Sequence, residues 1–174
     1  MKSSRWIFLS LVAMAATHPA SAAPKAGTAN SRIQVEFVNP EKFTDFKADA
    51  SGSQKGRENY LGQLKSYLVQ QAGGQLPEGQ RLGVSITDID MAGEFEPWRG
   101  QSLTNVRVVK DQYPPRIELS FKITDAKGKL LREGSGVLRN LSFMRDASIH
   151  RLDPLRHEKK LLDDWLRREL AGKK

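Results

Sequence analysis

The chain contains no cysteine. Disulfides, thiolate zinc sites, c-type haem attachment and thiol nucleophiles are thereby excluded, and so is the lipid-modified cysteine of bacterial lipoproteins. Histidine is almost as scarce: of three, His18 falls near the amino terminus, which leaves His150 and His157. Even on one helix those two would stand ~10 Å apart, too far to share an ion. His157-Glu158 opens like the HExxH of a zinc protease, but Leu161 occupies the place of the second histidine. Gly134-Ser135-Gly136 lacks the spacing of a nucleophile elbow, and no glycine-rich loop ends in Gly-Lys-Ser/Thr. No cofactor is expected. Long apolar runs are missing too, since the stretch Trp6–Ala16 has 11 residues against the ~20 that span a bilayer.

That short run has a different meaning. Lys2 and Arg5 precede it and Ala20-Ser21-Ala22 follows it, which is the order of charge, apolar stretch and small residues read by the export machinery. Residues 1–22 are therefore expected to be a signal peptide cut between Ala22 and Ala23, leaving a periplasmic or secreted, soluble chain. Residues 23–31, rich in Ala, Gly, Thr and Ser, read as a flexible leader. Residues 32–174 have the usual size of one domain. Charge is uneven along the exported part: Ala23–Glu96 holds 8 basic and 10 acidic residues, whereas Pro97–Lys174 holds 18 and 10, a net +8. Such an excess suits an anionic envelope surface or an envelope protein, or else a merely solvated basic face. Nucleic acid is not expected as a partner, because export removes it and no groove-reading helix or stacking motif is present.

The pattern of apolar residues gives the elements. Ile33, Val35 and Phe37 alternate with polar neighbours as in a half-buried strand that stops at Asn39-Pro40. Ser51-Gly52-Ser53 offers a helix cap, Tyr60, Leu61, Leu64, Tyr67 and Leu68 keep helical spacing, and Gly73-Gly74 offers a stop. Leu82, Val84 and Ile86 alternate until the phase slips to Ile89 and Met91, which predicts a bulge near Thr87 or Asp88. Val106 and Val108 mark a short strand. Ile117, Leu119, Phe121 and Ile123 mark a long one, Asp125–Gly128 a hairpin turn, and Leu130–Leu141 the return, bent or closely approached at Gly134 and Gly136. Asp153 and Pro154 announce a last helix with the stripe Leu155, Leu162, Trp165, Leu166 and Leu170. On it Lys159–Asp163, Lys160–Asp164, Asp163–Arg167 and Asp164–Arg168 are spaced to pair along a solvated face. The fold class is α+β: one mainly antiparallel sheet, with a helix after its first strand and a carboxy-terminal helix packed on it.

One constellation stands out. Asp88, Asp90, Glu94 and Glu96 fall within nine residues as the chain leaves a strand, accompanied by Phe95, Trp98 and Arg99. Asp88 and Asp90 are two apart and share one sheet face. Oxygen ligands of this kind suit calcium, although an EF-hand is excluded because Ala92 and Arg99 occupy ligand positions. Paired carboxylates also serve as acid and base in glycoside hydrolysis. A third reading makes Phe95 and Trp98 the anchors of a loop that meets a partner. The plainest has Trp98 covering the sheet edge, Arg99 paired with an acid and the remaining carboxylates solvated. The interaction module is the leading reading, with a carboxylate-based metal-binding protein or hydrolase as its alternative.

Four stretches also carry a resemblance: Phe37–Thr44, Ile86–Arg99, Arg107–Ile117 and Glu158–Trp165. Together they resemble a family of secreted Gram-negative bacterial proteins catalogued as a domain of unknown function, number three thousand and sixteen. The resemblance implies one exported domain and brings no catalytic residue, cofactor or partner with it.

Overall fold

A computed structural model describes residues 32–145 and 152–170. The expected signal peptide, the leader and His150 lie outside the described residues. Strand β1 (Ile33–Phe37) is followed by helix α1 (Gln54–Gln75) and strand β2 (Arg81–Asp90). Two short strands, β3 (Glu94–Phe95) and β4 (Arg107–Val108), pair with each other. Strands β5 (Arg116–Thr124) and β6 (Leu130–Arg139) form the hairpin, and helix α2 (Arg156–Leu170) closes the described chain. The main sheet has the order β1-β2-β5-β6; β1 runs parallel to β2 and the other pairs are antiparallel. No helix among the described residues is long and apolar enough to cross a membrane.

Both helices cover one face of this sheet. Val84, Ile86, Leu119 and Phe121 point from it into a core completed by Leu64 and Leu68 of α1 and Leu162, Trp165 and Leu166 of α2. The opposite face carries Gly83, Ser85, Ser120 and Lys122, the division expected where water wets one side of an antiparallel sheet. The predicted phase slip is real. The register between β2 and β5 jumps from Ile86 to Asp88, so that Ile89 returns to the core face. Without it, Asp88 would be forced inward and Ile89 outward.

Two expectations need correction. Helix α1 does not stop at Gly73-Gly74; it runs on to Gln75, and neither glycine has positive φ. Pro77 sets the end instead, because it disfavours the helical conformation at Leu76, which is extended there. On α2 only Lys160–Asp164 of the four expected pairs forms, at 2.5 Å. Asp163 instead accepts the Tyr67 hydroxyl of α1 at 2.7 Å, Lys159 reaches back to Asp153 at 2.6 Å, and Arg167 joins Asp164 one residue closer than expected. The face holding Asp163 is a helix–helix contact, so local spacing alone misassigns it. Helix α2 begins at Arg156, two residues after the expected first position Pro154, and Asp153 Oδ1 accepts the Leu155 N–H at 2.9 Å in the turn that leads into it.

Gly134 explains itself by what stands opposite. It pairs with Phe121, whose ring lies across it, and a Cβ there would come within 2.9 Å of Phe121 Cε1. That ring also meets Trp165 edge-on, with centroids 5.6 Å apart. Gly134→Ala should therefore push the ring off Trp165 and lower stability by about 1–3 kcal/mol, the usual penalty of overpacking, whereas Gly136→Ala has open space and should be near neutral. Urea unfolding of both variants checks this; equal stabilities would show that the ring yields freely.

Candidate functional site

The acidic segment leaves β2 and is held against the body of the protein from three directions. Phe43 and Phe46 are buried after β1 and stack edge-on in a chain from Phe37 to Tyr60, which fixes the loop carrying Thr44 and Asp45. That loop continues the sheet: Asp45 N–H donates to Ile89 O at 3.2 Å and Met91 N–H to Asp45 O at 2.9 Å. From α2, buried Glu158 accepts the Ala92 N–H at 2.8 Å. Gly93 then turns with φ +81°, where a Cβ would lie 2.8 Å from Val108 O, so that β3 can fold against β4.

The four carboxylates have separate fates. Asp88 is held from two sides: Thr44 donates its N–H and its hydroxyl, each at 2.7 Å, and Arg116 Nη2 approaches to 2.5 Å. Burial pushes its carboxyl up, but these donors and the Arg116 charge outweigh burial and hold it below the ordinary aspartate value. Glu96 is 2% exposed and lies in a knot of donors. Lys110 Nζ reaches both oxygens at 2.5 and 2.8 Å, the Tyr113 hydroxyl donates at 3.1 Å, and Arg99 Nε stands 2.5 Å away. The Lys110 hydrogen bonds, helped by Tyr113 and Arg99, keep it ionised against the cost of burial. Both groups are anions held by internal donors, Glu96 by four contacts and Asp88 by three.

Asp90 and Glu94 differ. They line a polar cavity of about 340 Å³, together with Lys47, Tyr113, Arg116 and Arg139. The Asp90 carboxylate makes no hydrogen bond or ion pair among the described residues, although its backbone stays in the sheet opposite Arg116. Burial raises its carboxyl; Arg116 opposes the rise, and the negative neighbours Asp45, Asp88 and Glu94 add to it. Glu94 accepts only the adjacent Phe95 N–H, at 2.8 Å. Asp88 and Asp90 do share one sheet face, opposite Glu118 and Arg116. Yet among the described residues no three His, Asp or Glu side chains come together as a metal site. A second cavity of about 340 Å³ lies on the open sheet face over Gly83, Ser85 and Ser120, but none of the acidic candidates borders it.

The aromatic candidates divide as well. Phe95 is buried under the guanidinium of Arg107, whose carbon lies 4.6 Å from the ring centre. Trp98 is 71% exposed, so it does not cover the sheet edge. It sits in the single turn Pro97–Arg99, whose flanks are fixed because Glu96 is buried and Arg99 pairs back to it.

Sequence reasoning missed the organiser, Arg107. Its Nη1 donates to Asp45 Oδ2 at 2.7 Å and to Gly93 O at 2.8 Å, and its Nη2 to Asp45 Oδ1 at 3.3 Å and Lys47 O at 3.1 Å. One side chain thus joins the loop after β1, the turn before β3 and the aromatic ring. The only available signal was the pair of charges Arg107 and Lys110 flanking a short apolar stretch, which by itself reads as a strand.

No curated protein and no solved structure matches the chain. The resemblance carried by the four stretches is confirmed across most of the length, and with residues 31–168 matched, the chain belongs to the DUF3016 family of proteins of unknown function.

Proposed function

We propose that the protein is a non-enzymatic binding module of the cell envelope, exported by residues 1–22, whose partner docks over Trp98 and the cavity of Asp90 and Glu94. The observation that carries this reading is the exposure of Trp98, 71%, on a turn whose neighbours are pinned. A large aromatic side chain held out from a fixed support costs little further entropy when a partner covers it. Asp90 supplies the complementary polar feature, a part-buried carboxylate suited to a cationic group of that partner. A protein partner fits better than a lipid surface, because Arg107, Lys110, Arg116, Arg132 and Lys159 of the basic half are engaged in internal ion pairs. The alternative of acid and base catalysis loses Asp88 and Glu96 to those same pairs, and a metal site would have to form from Asp90 and Glu94 alone.

Trp98→Ala tests the proposal. Its unfolding free energy should stay within about 0.5 kcal/mol of the parent, as for other exposed substitutions, while the immobilised variant recovers markedly less protein from a periplasmic extract. Undiminished recovery, or a destabilised fold, would remove Trp98 from the recognition surface.

A further inference from the structure

Strands β1 and β6 are the two edges of the main sheet, and β6, with 10 residues against 5, is the longer. Among the described residues it pairs with β5 alone, in an unbroken register from Arg132 to Arg139. A long regular edge is a template for another strand unless proline, a bulge or inward-facing charge interrupts it. Here there is no proline, the irregularity lies at the hairpin end beside Thr124, the core-facing charge Arg132 stands at that same end and is paired with Glu169, and the middle is Gly134, Ser135, Gly136 and a Val137 that is 59% exposed.

A charge mismatch sits on the same edge. Arg139 stands directly opposite Arg116, and like charges across a strand pair repel. Arg116 is neutralised by Asp88 and Glu118. Arg139 is exposed and has no carboxylate partner among the described residues. Glu133 lies on the same sheet face as Arg139, and its contact with Lys122 is 3.7 Å long between two well-exposed side chains.

We propose that β6 pairs antiparallel with β6 of a second copy, about a two-fold axis normal to the sheet at Gly136. The result is one continuous sheet with four strands from each copy. In this register Glu133 faces the second copy's Arg139, Arg139 faces its Glu133, Ser135 faces Val137, and Gly136 faces its own counterpart. Facing residues in an antiparallel pair share a face, so the neighbouring registers centre on Ser135 or Val137. The first would set Glu133 against Val137 and Arg139 against Leu131; the second would set Glu133 against Leu141 and Arg139 against Ser135. Gly136 alone among the three matches both charges. Because Arg139 also lines the cavity of Asp90, the second copy's Glu133 arrives at the rim of that site.

The absence of cysteine makes the register directly testable. Gly136→Cys introduces the only thiol, and a Cβ there meets nothing within 4 Å. Facing Cα atoms in such a pair stand ~4.5–5.5 Å apart, within disulfide reach. With oxidised glutathione accepting the two electrons and two protons, the two thiols should join as one inter-subunit disulfide, whereas Glu133→Cys, far from its own counterpart, should not cross-link. In sedimentation the unmodified protein should dimerise. Glu133→Arg and Arg139→Glu should each weaken the dimer about tenfold, as attraction gives way to repulsion at two symmetric pairs, and the double exchange should restore it. Circular dichroism confirms that each variant is folded. A monomer at every concentration overturns the proposal, and so does a dimer indifferent to the charge exchanges or cross-linked equally well through residue 133. None of these outcomes depends on Trp98.

Discussion

Arg107→Met should lower the unfolding free energy by about 3–5 kcal/mol, the cost of leaving one member of a buried ion pair without the other. Asp45 is buried, and its two oxygens take their hydrogen bonds from this guanidinium. Lys47 lies 3.7 Å from Asp45 but is half exposed, so it offers weak compensation. The same substitution strips donors from Gly93 O and Lys47 O and removes the cation above Phe95, so the acidic segment should loosen as a unit. Urea denaturation measures the loss. Adding Asp45→Asn to Arg107→Met should recover a large part of it, because the uncompensated charge disappears. If the double variant is no more stable than the single one, packing over Phe95 and not the charge pair is what Arg107 contributes.

Glu158→Gln should stabilise the protein at alkaline pH and matter little in acid. The side chain is 0% exposed; Oε1 accepts the Ala92 N–H, while Oε2 has no hydrogen-bond partner among the described residues. Burial pushes the carboxyl up to about 7 from an ordinary 4.5, against the opposing pull of the Ala92 N–H, Arg107 and Arg156. The folded state therefore holds this proton more tightly than the unfolded chain does. Its contribution is fully present below pH 4.5 and is lost as pH rises through 7. The separation corresponds to about 3 kcal/mol at 1.36 kcal/mol per unit. Asp88, Glu96 and Asp164 have lowered values and act with the opposite sign at more acid pH. Subtracting the pH–stability curve of Glu158→Gln from that of the parent isolates the effect. A flat difference between pH 5 and 8 would mean that water or local opening already solvates the group.

Much of the framework was readable because it follows periodicity. The alternation at Ile117–Ile123 and the slip after Ile86 are consequences of where a side chain must point, and both appear as expected. Position along the chain was far less informative about pairing. Nothing local indicates that Asp163 turns to Tyr67, that Asp88 is claimed by Thr44 and Arg116, or that Glu158 is buried against the Ala92 N–H. The acidic cluster was legible as a composition and illegible as a site, since Asp88 and Glu96 are claimed by donors up to 44 residues away while Asp90 and Glu94 are left to the cavity. Trp98 illustrates the same limit from the other side: its hydrophobicity predicts cover, while the pairing of Arg99 back to Glu96 leaves it outside.

The connections that fix the acidic segment also govern when it can exist during folding. Thr44 meets Asp88, Asp45 meets Arg107 and Ala92 meets Glu158, pairs separated by 44, 62 and 66 positions. Loops of that span must close before any of these bonds forms, and topologies dominated by distant pairings fold slowly for this reason. Helix α1 and the β5–β6 hairpin are local and have no such wait. Until α2 docks, Ala92 lacks its acceptor. The surface around Trp98 would then take shape only once α2 had docked, which makes the docking of that helix a checkpoint on the acidic segment.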